Sequence, residues 1–356
     1  MNTVYEYLDW RGDLTFDISG VNEVDALLFS LFNYVDIPFE KEDKLSEGAR
    51  KVLFNYKSKS VYDLEKISDF EKRMSILFLK ACKTDRFRNV YMVDKVEKID
   101  TNDEMQFQAT TFKISEDVLV VSFKGTDHSL LGFKEDFNMS FNEPVKGQIE
   151  SVQYLQDVLD KYSQDTVYVV GHSKGGNFAV YSSSHISDEN RDRIKLIYNF
   201  DGPGFTEDFL EFEGYTKTIP KIKKYVPKDA FVGVLMEDKE DVVIVDAGGW
   251  SGFDQHNGLS WRVCGTEFVK RDEKTTKSKY LGNAMNSWLS NVDYDDRRKF
   301  VDSVYDILTN TMSISDIKEF KRDKIKLMYN FFKNVKELDE EDRNLIQEVF
   351  MKWFKK

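Results

Sequence analysis

The chain has 356 residues, 41% hydrophobic and 14% aromatic, enough to bury a full core as one large domain with additions or as two domains. Its formal charge of −12 excludes the basic field with which a nucleic-acid binder neutralises phosphates. Its two cysteines, Cys82 and Cys264, lie far apart with no Cys-x-x-Cys or Cys/His spacing, which argues against a disulfide framework or a zinc site and fits a reducing, cytoplasmic setting.

The opening stretch MNTVYEYLDWRGDLTFDISG carries acids early and lacks a basic segment followed by an apolar one. No apolar run approaches the ~18 residues of a membrane span, so a soluble protein without Sec export is expected. Residues 22–34, NEVDALLFSLFNY, set Val24, Leu27, Leu28, Leu31 and Phe32 at helical spacing behind Asn22, a candidate N-cap. A second helical stretch, YDLEKISDFEKRMSILFLKAC, carries Leu64, Ile67, Phe70, Met74, Leu77 and Phe78 on one side. Residues 1–85 therefore read as a mainly helical region packed on the core.

From Phe107 the period changes. QFQATTFKI alternates, DVLVVSFKG is a near-continuous β-branched run, and TVYVVG, KLIYNFDG, IKKYVP and VVIVDAGG come after it. VKGQIESVQYLQDVLDKYSQ supplies a crossover helix before TVYVVG, and GGNFAVYSSSHI supplies another before KLIYNF. Strand, helix, strand at this spacing predicts an α/β fold over residues 86–265, with a mostly parallel central sheet covered by helices on both faces. Residues 266–356 turn helical and Lys-rich again and form a candidate cap.

Where those two βαβ units meet, Gly171-His172-Ser173-Lys174-Gly175 satisfies G-x-S-x-G, with a β run before it and a helix-compatible run after it. A serine there sits on a tight, strained strand-to-helix turn, and side chains two positions away on either side would obstruct the approach of helix and strand. The turn holds Ser173 out above the sheet as a candidate nucleophile. The Lys174 N–H, at the positive end of the helix, is placed to donate to an oxyanion.

A serine nucleophile needs a base and an acid that orients it. Of the four histidines, His172 lies inside the elbow and should point away from Ser173, and His185 lies about 12 residues along the nucleophile helix, roughly 18 Å away. His128 follows a strand but precedes the serine. His256, in the Gly-rich loop AGGWSGFDQHNGLSW after the last clear strand, is the favoured base. For the acid, Asp229 in KKYVPKDAFVGVLM is favoured over Asp246 in VVIVDAGG and over Asp201 in NFDGPGF, which falls early, right after the nucleophile helix and its strand. The turn that ends LVVSFKGTD offers Thr126 as a second oxyanion donor through its backbone N–H and hydroxyl.

These residues resemble class 3 lipases. VLVVSFKGTD is similar to their oxyanion-hole strand and turn, GHSKGG to their elbow, NFDGPGF to their Gly-x-Pro segment, and YVPKDAFVGVL to the stretch around their catalytic acid. The likeness is closer to a bacterial branch of lipase-like α/β-hydrolases, through YLDWRGDLTF, FNYVDIPF, DGPGF and QHNGLSW, and it spans residues 1–265. It implies an α/β-hydrolase fold and roles for Thr126, Ser173, Asp229 and His256. Lys174 and DGPG depart from triglyceride lipases, so ester hydrolysis is better supported than a long-chain lipid substrate.

The expected function is a serine hydrolase that cleaves a carboxylic ester through an acyl-enzyme. The alternatives are a thioesterase or peptidase using the same triad, and a non-catalytic hydrolase-fold protein that binds a ligand or partner. No HExxH, Asp-rich calcium loop or GxGxxG after a strand occurs, so no metal and no organic cofactor is expected. Residues 317–336, IKEFKRDKIKLMYNFFKNVK, form a basic amphipathic stretch that either packs on the core or lies on an anionic membrane.

Overall fold

The computed structural model describes residues 2–39, 42–60, 67–126, 130–139, 142–163, 165–249, 252–291 and 294–306. His128 and the basic stretch 317–336 lie outside the described residues. The chain divides into two compact units, one of residues 1–98, 107–125 and 147–285, the other of residues 99–106, 126–146 and 286–356.

In the first unit, helix α1 (Val4–Arg11) precedes α2 (Glu23–Phe32), which starts where its sequence signals: the Asn22 side chain accepts from the Val24 and Asp25 N–H groups, and Asp25 accepts in return from the Asn22 N–H. Helix α3 (Leu45–Ser58) comes next, then α4 (Asp69–Ala81), capped by Ser68 and Glu71 in the same reciprocal way. Helix α2 is apolar nearly all round because it is buried over the middle of a sheet, packing on strands β4 (Val118–Phe123), β5 (Thr166–His172) and β6 (Ile194–Phe200).

The sheet has nine strands. Beside those three it contains β1 (Asp43–Lys44), β2 (Tyr91–Asp100), β3 (Met105–Ser115), β7 (Ile222–Pro227), β8 (Val242–Val245) and, after a separate ribbon of β9 (Val263–Cys264) and β10 (Glu267–Phe268), β11 (Lys270–Arg271). The order is β1-β2-β3-β4-β5-β6-β7-β8-β11. From β4 to β8 every pairing is parallel, while β3 on β4, β1 on β2 and β11 on β8 are antiparallel.

Alternate residues of the strands face opposite layers. Val120, Tyr168, Val170, Tyr198, Phe200 and Tyr225 share a core with Val24, Leu27, Leu28 and Leu31 of α2. On the other face Phe107 and Phe123 pack with Tyr154 and Phe178, from the crossover helices Lys146–Lys161 and Lys174–His185. The N-terminal helices are thus a covering layer of the sheet. Three strands carried no readable period: β1 and β11 are two residues long, and the outer half of β2 is charged and exposed.

In the second unit, helix Leu130–Asn138 packs against helix Tyr294–Asp306. Its Lys134 bridges Glu104 at 2.6 Å and Asp302 at 2.7 Å, and Asn138 also donates to Glu104.

Candidate active site

Strand β5 ends at His172 and the Lys174–His185 helix begins two residues later, so Ser173 alone makes the turn. It does so at φ 59°, ψ −134°, a strained conformation for a residue with a Cβ. Two bonds hold it there: the Ser173 N–H donates to the Phe200 carbonyl at 2.9 Å, and its own carbonyl accepts from Gly176 N–H at 2.8 Å. A Cβ on Gly171 would strike the backbone of Gly175, and one on Gly175 would strike the Phe123 carbonyl, so both glycines are sterically required. Gly125 also lies close, since a Cβ there would be 2.9 Å from the Ser173 Cβ.

The Ser173 N–H bonds to the residue immediately before Asp201, so the next strand end brings a carboxylate beside the elbow. Asp201 is fully buried, turns at φ 54° and donates its N–H to the Tyr225 carbonyl at 2.8 Å. Its Oδ2 lies 2.6 Å from His256 Nδ1, and its Oδ1 accepts from Gly233 N–H at 3.1 Å. A carboxylate on Nδ1 holds the imidazole with Nε2 as its basic nitrogen. Among the described residues neither Ser173 Oγ nor His256 Nε2 has a hydrogen-bond partner.

This corrects the expectation for the acid. Asp229 does not reach His256: its Oδ2 accepts from Gln255 Nε2 at 2.7 Å, its Oδ1 from the Thr275 hydroxyl at 2.5 Å, and its N–H donates to Gln255 Oε1 at 3.2 Å. It grips the residue before His256. The reason is strand order, since Asp201 follows β6, next to β5, which leads into Ser173, while Asp229 follows β7, one strand further out. Asp246 is occupied by Lys228 and Arg271, each at 2.8 Å; burial alone would raise its pKa, but these bonds outweigh burial and lower it.

The remaining residues separate clearly. His256 ends a short helix, Gly252–His256, and its side chain is 18% exposed. His172 is buried with its ring 4.7 Å from the His256 ring, its Nδ1 2.9 Å from the Tyr34 hydroxyl and its Nε2 2.7 Å from the His256 carbonyl. His185 bonds the Tyr181 carbonyl through Nδ1 and stacks on the Tyr181 ring. Lys174 is buried, with its ammonium 5.6 Å above the Phe178 ring one turn along the same helix, and its N–H belongs to the first helical residue after Ser173. Thr126, in the second unit, donates its hydroxyl to the Asp136 carboxylate at 2.6–2.7 Å.

The sequence pattern favours Asp229 over Asp201 and gives no mark of Tyr34 or Gly233, which contact His172 and Asp201. The signal for Asp201 was present in Phe200-Asp201-Gly202, an acid at the end of the next strand after the one that leads into Ser173. Tyr34 stood in a segment read only as helix.

A parallel β4–β8 sheet covered on both faces, with a strand–serine–helix elbow in mid-sheet and an Asp–His pair beside it, defines an α/β-hydrolase fold. Within that class the chain belongs to the Mbeg1-like family, whose profile matches residues 81–306, more than half of its length. No curated protein matches it. Solved structures similar to it include a triacylglycerol lipase from Penicillium expansum (14% identity, 55% of this chain and 79% of that chain covered, TM-score 0.34). Lipase II from Rhizopus niveus is similar at 15% identity, with 71% and 89% covered and a TM-score of 0.39. The Lip2 lipase from Yarrowia lipolytica is similar at 15% identity, with 48% and 69% covered and a TM-score of 0.34.

Proposed function

We propose that the protein is a serine hydrolase that cleaves a carboxylic ester, with Ser173 as nucleophile, His256 as base and Asp201 as the acid that orients it. The observation that carries this reading is the 2.6 Å contact between buried Asp201 and His256 Nδ1, made beside a serine held at positive φ. An elbow kept only as a turn needs no histidine oriented by a buried carboxylate.

In this reading His256 Nε2 takes the Ser173 hydroxyl proton as Oγ adds to the ester carbonyl, and Asp201 stabilises the imidazolium. The tetrahedral oxyanion is met by the Lys174 N–H at the helix N-terminus; such a donor contributes ~10²–10³ in rate. His256 then protonates the leaving alcohol, an acyl group remains on Ser173, and water activated by the same histidine releases the carboxylic acid.

Labelling with a fluorophosphonate probe tests it. The wild type is expected to label, and Ser173→Ala and His256→Ala to lose the label while keeping their fold. A folded wild type that does not label overturns the proposal in favour of a non-catalytic binding protein.

A further inference from the structure

We infer that Tyr34, acting through His172, is a positioning residue for the base: the hydrogen-bonded chain from the Tyr34 hydroxyl through the His172 imidazole to the His256 carbonyl fixes the backbone on which His256 stands. This rests on the serine-hydrolase reading and adds to it a requirement for the N-terminal region.

The direction of every proton in this chain is set by one fact, that a carbonyl oxygen only accepts. The His256 carbonyl lies 2.7 Å from His172 Nε2, so Nε2 carries a proton. Burial and the neighbouring His256 push the His172 pKa down to about 3, so the ring is neutral and Nδ1 carries a lone pair. The Tyr34 hydroxyl, 2.9 Å from Nδ1, is then the donor. Without that donor the ring has no reason to prefer the Nε2–H tautomer except the carbonyl itself.

Tyr34 is itself fixed. Its neighbour Asn33 donates to the carbonyl and hydroxyl of Ser122 in β4, at 2.9 and 2.8 Å. The Tyr34 ring meets Phe70 of α4 edge-on at 5.4 Å, and its hydroxyl fills the space a Cβ on Gly125 would need. His256 is therefore held at two points by different parts of the chain, its ring by Asp201 after β6 and its carbonyl by His172 and the N-terminal helices. Tyr34 lies before residue 81, outside the part of the chain that the family profile matches.

The test uses the full chain with ¹⁵N-labelled histidine. In two-bond ¹H–¹⁵N spectra, the signal lost in His172→Gln identifies His172, and the expected wild-type pattern is an Nε2–H tautomer with Nδ1 as acceptor. In Tyr34→Phe that acceptor signature disappears, and fluorophosphonate labelling slows by roughly 10-fold to 10²-fold, the scale of a displaced catalytic group. His172→Gln, which keeps one donor and one acceptor, recovers much of the labelling that His172→Leu loses. A wild-type His172 with its proton on Nδ1, equal labelling of Tyr34→Phe and wild type, or no difference between the Gln and Leu variants each overturns the inference. A wild type that labels alongside any of these sinks this inference alone, whereas one that never labels sinks the hydrolase reading.

Discussion

Two carboxylates in the first unit, Asp25 and Asp201, are fully buried and each faces a basic side chain, but the two pairs are finished differently. Asp25 accepts from Tyr7, from the Asn22 N–H and twice from Arg86, and Arg86 spends its other donors on the carbonyls of Leu14, Ser19 and Gly20. Both side chains of that pair have no exposed surface. Asp201 accepts from Gly233 and His256, and the His256 side chain keeps 18% of its surface exposed. The first pair is closed and can only stabilise. The second has one end left for chemistry, and a buried charge pair should be read by what its far end can still do.

The largest expected effect breaks the second pair. Asp201→Asn removes the carboxylate that sets the tautomer of His256 and is expected to lower the second-order rate with a fluorophosphonate, or kcat on a short-chain ester, by about 10⁴-fold. Asp229→Asn, which disturbs the bonds to Gln255 and Thr275 but not the Asp201–His256 pair, is expected to cost about 10-fold. Equal losses in the two variants would undo the assignment of the acid.

Breaking the first pair should appear in stability. Asp25→Ala or Arg86→Ala alone leaves a buried charge without its partner and is expected to cost about 3–5 kcal/mol in urea unfolding. The double variant should lose less than the sum of the two.

Gly233→Ala tests the acid from the other side. A Cβ there would collide with Asp201 Oδ1, so the carboxylate must shift, and the expected loss is about 10² in rate with little change in KM.

A pH dependence of stability is expected as well. His172 in the folded protein takes a proton only near pH 3, because of burial first and the neighbouring His256 second, whereas in the unfolded chain it does so near 6.5. The unfolded state therefore binds more protons below pH 6.5, and the fold loses up to about 1.4 kcal/mol per pH unit from there toward pH 3, with no contribution above 6.5. His172→Gln should flatten that part of the stability profile, measured as urea midpoints from about pH 7 to 4.

The parts legible in the sequence were those specified locally. Asn22 and the spacing behind it mark α2, the β-branched runs mark β4 to β8, and the glycines around Ser173 mark a turn that no other residue permits. The acid was not local. Asp201 and Asp229 each follow a strand, and only the sheet order says which strand end adjoins the elbow. Its second neighbour, Gly233, stands 32 residues further along the chain. Tyr34 escaped for the same reason, since its partner His172 is 138 residues away.

The two short strands at the rims of the sheet also matter for what happens between molecules. Asp43-Lys44 forms one rim and Lys270-Arg271 the other, so every residue of both edge strands is charged. A rim of unpaired backbone groups invites another chain to add a strand, the first step towards aggregation, and charged side chains on a two-residue edge make that addition costly. The parallel strands β4 to β8 lie inside those two guarded margins, so their backbone groups pair within the sheet.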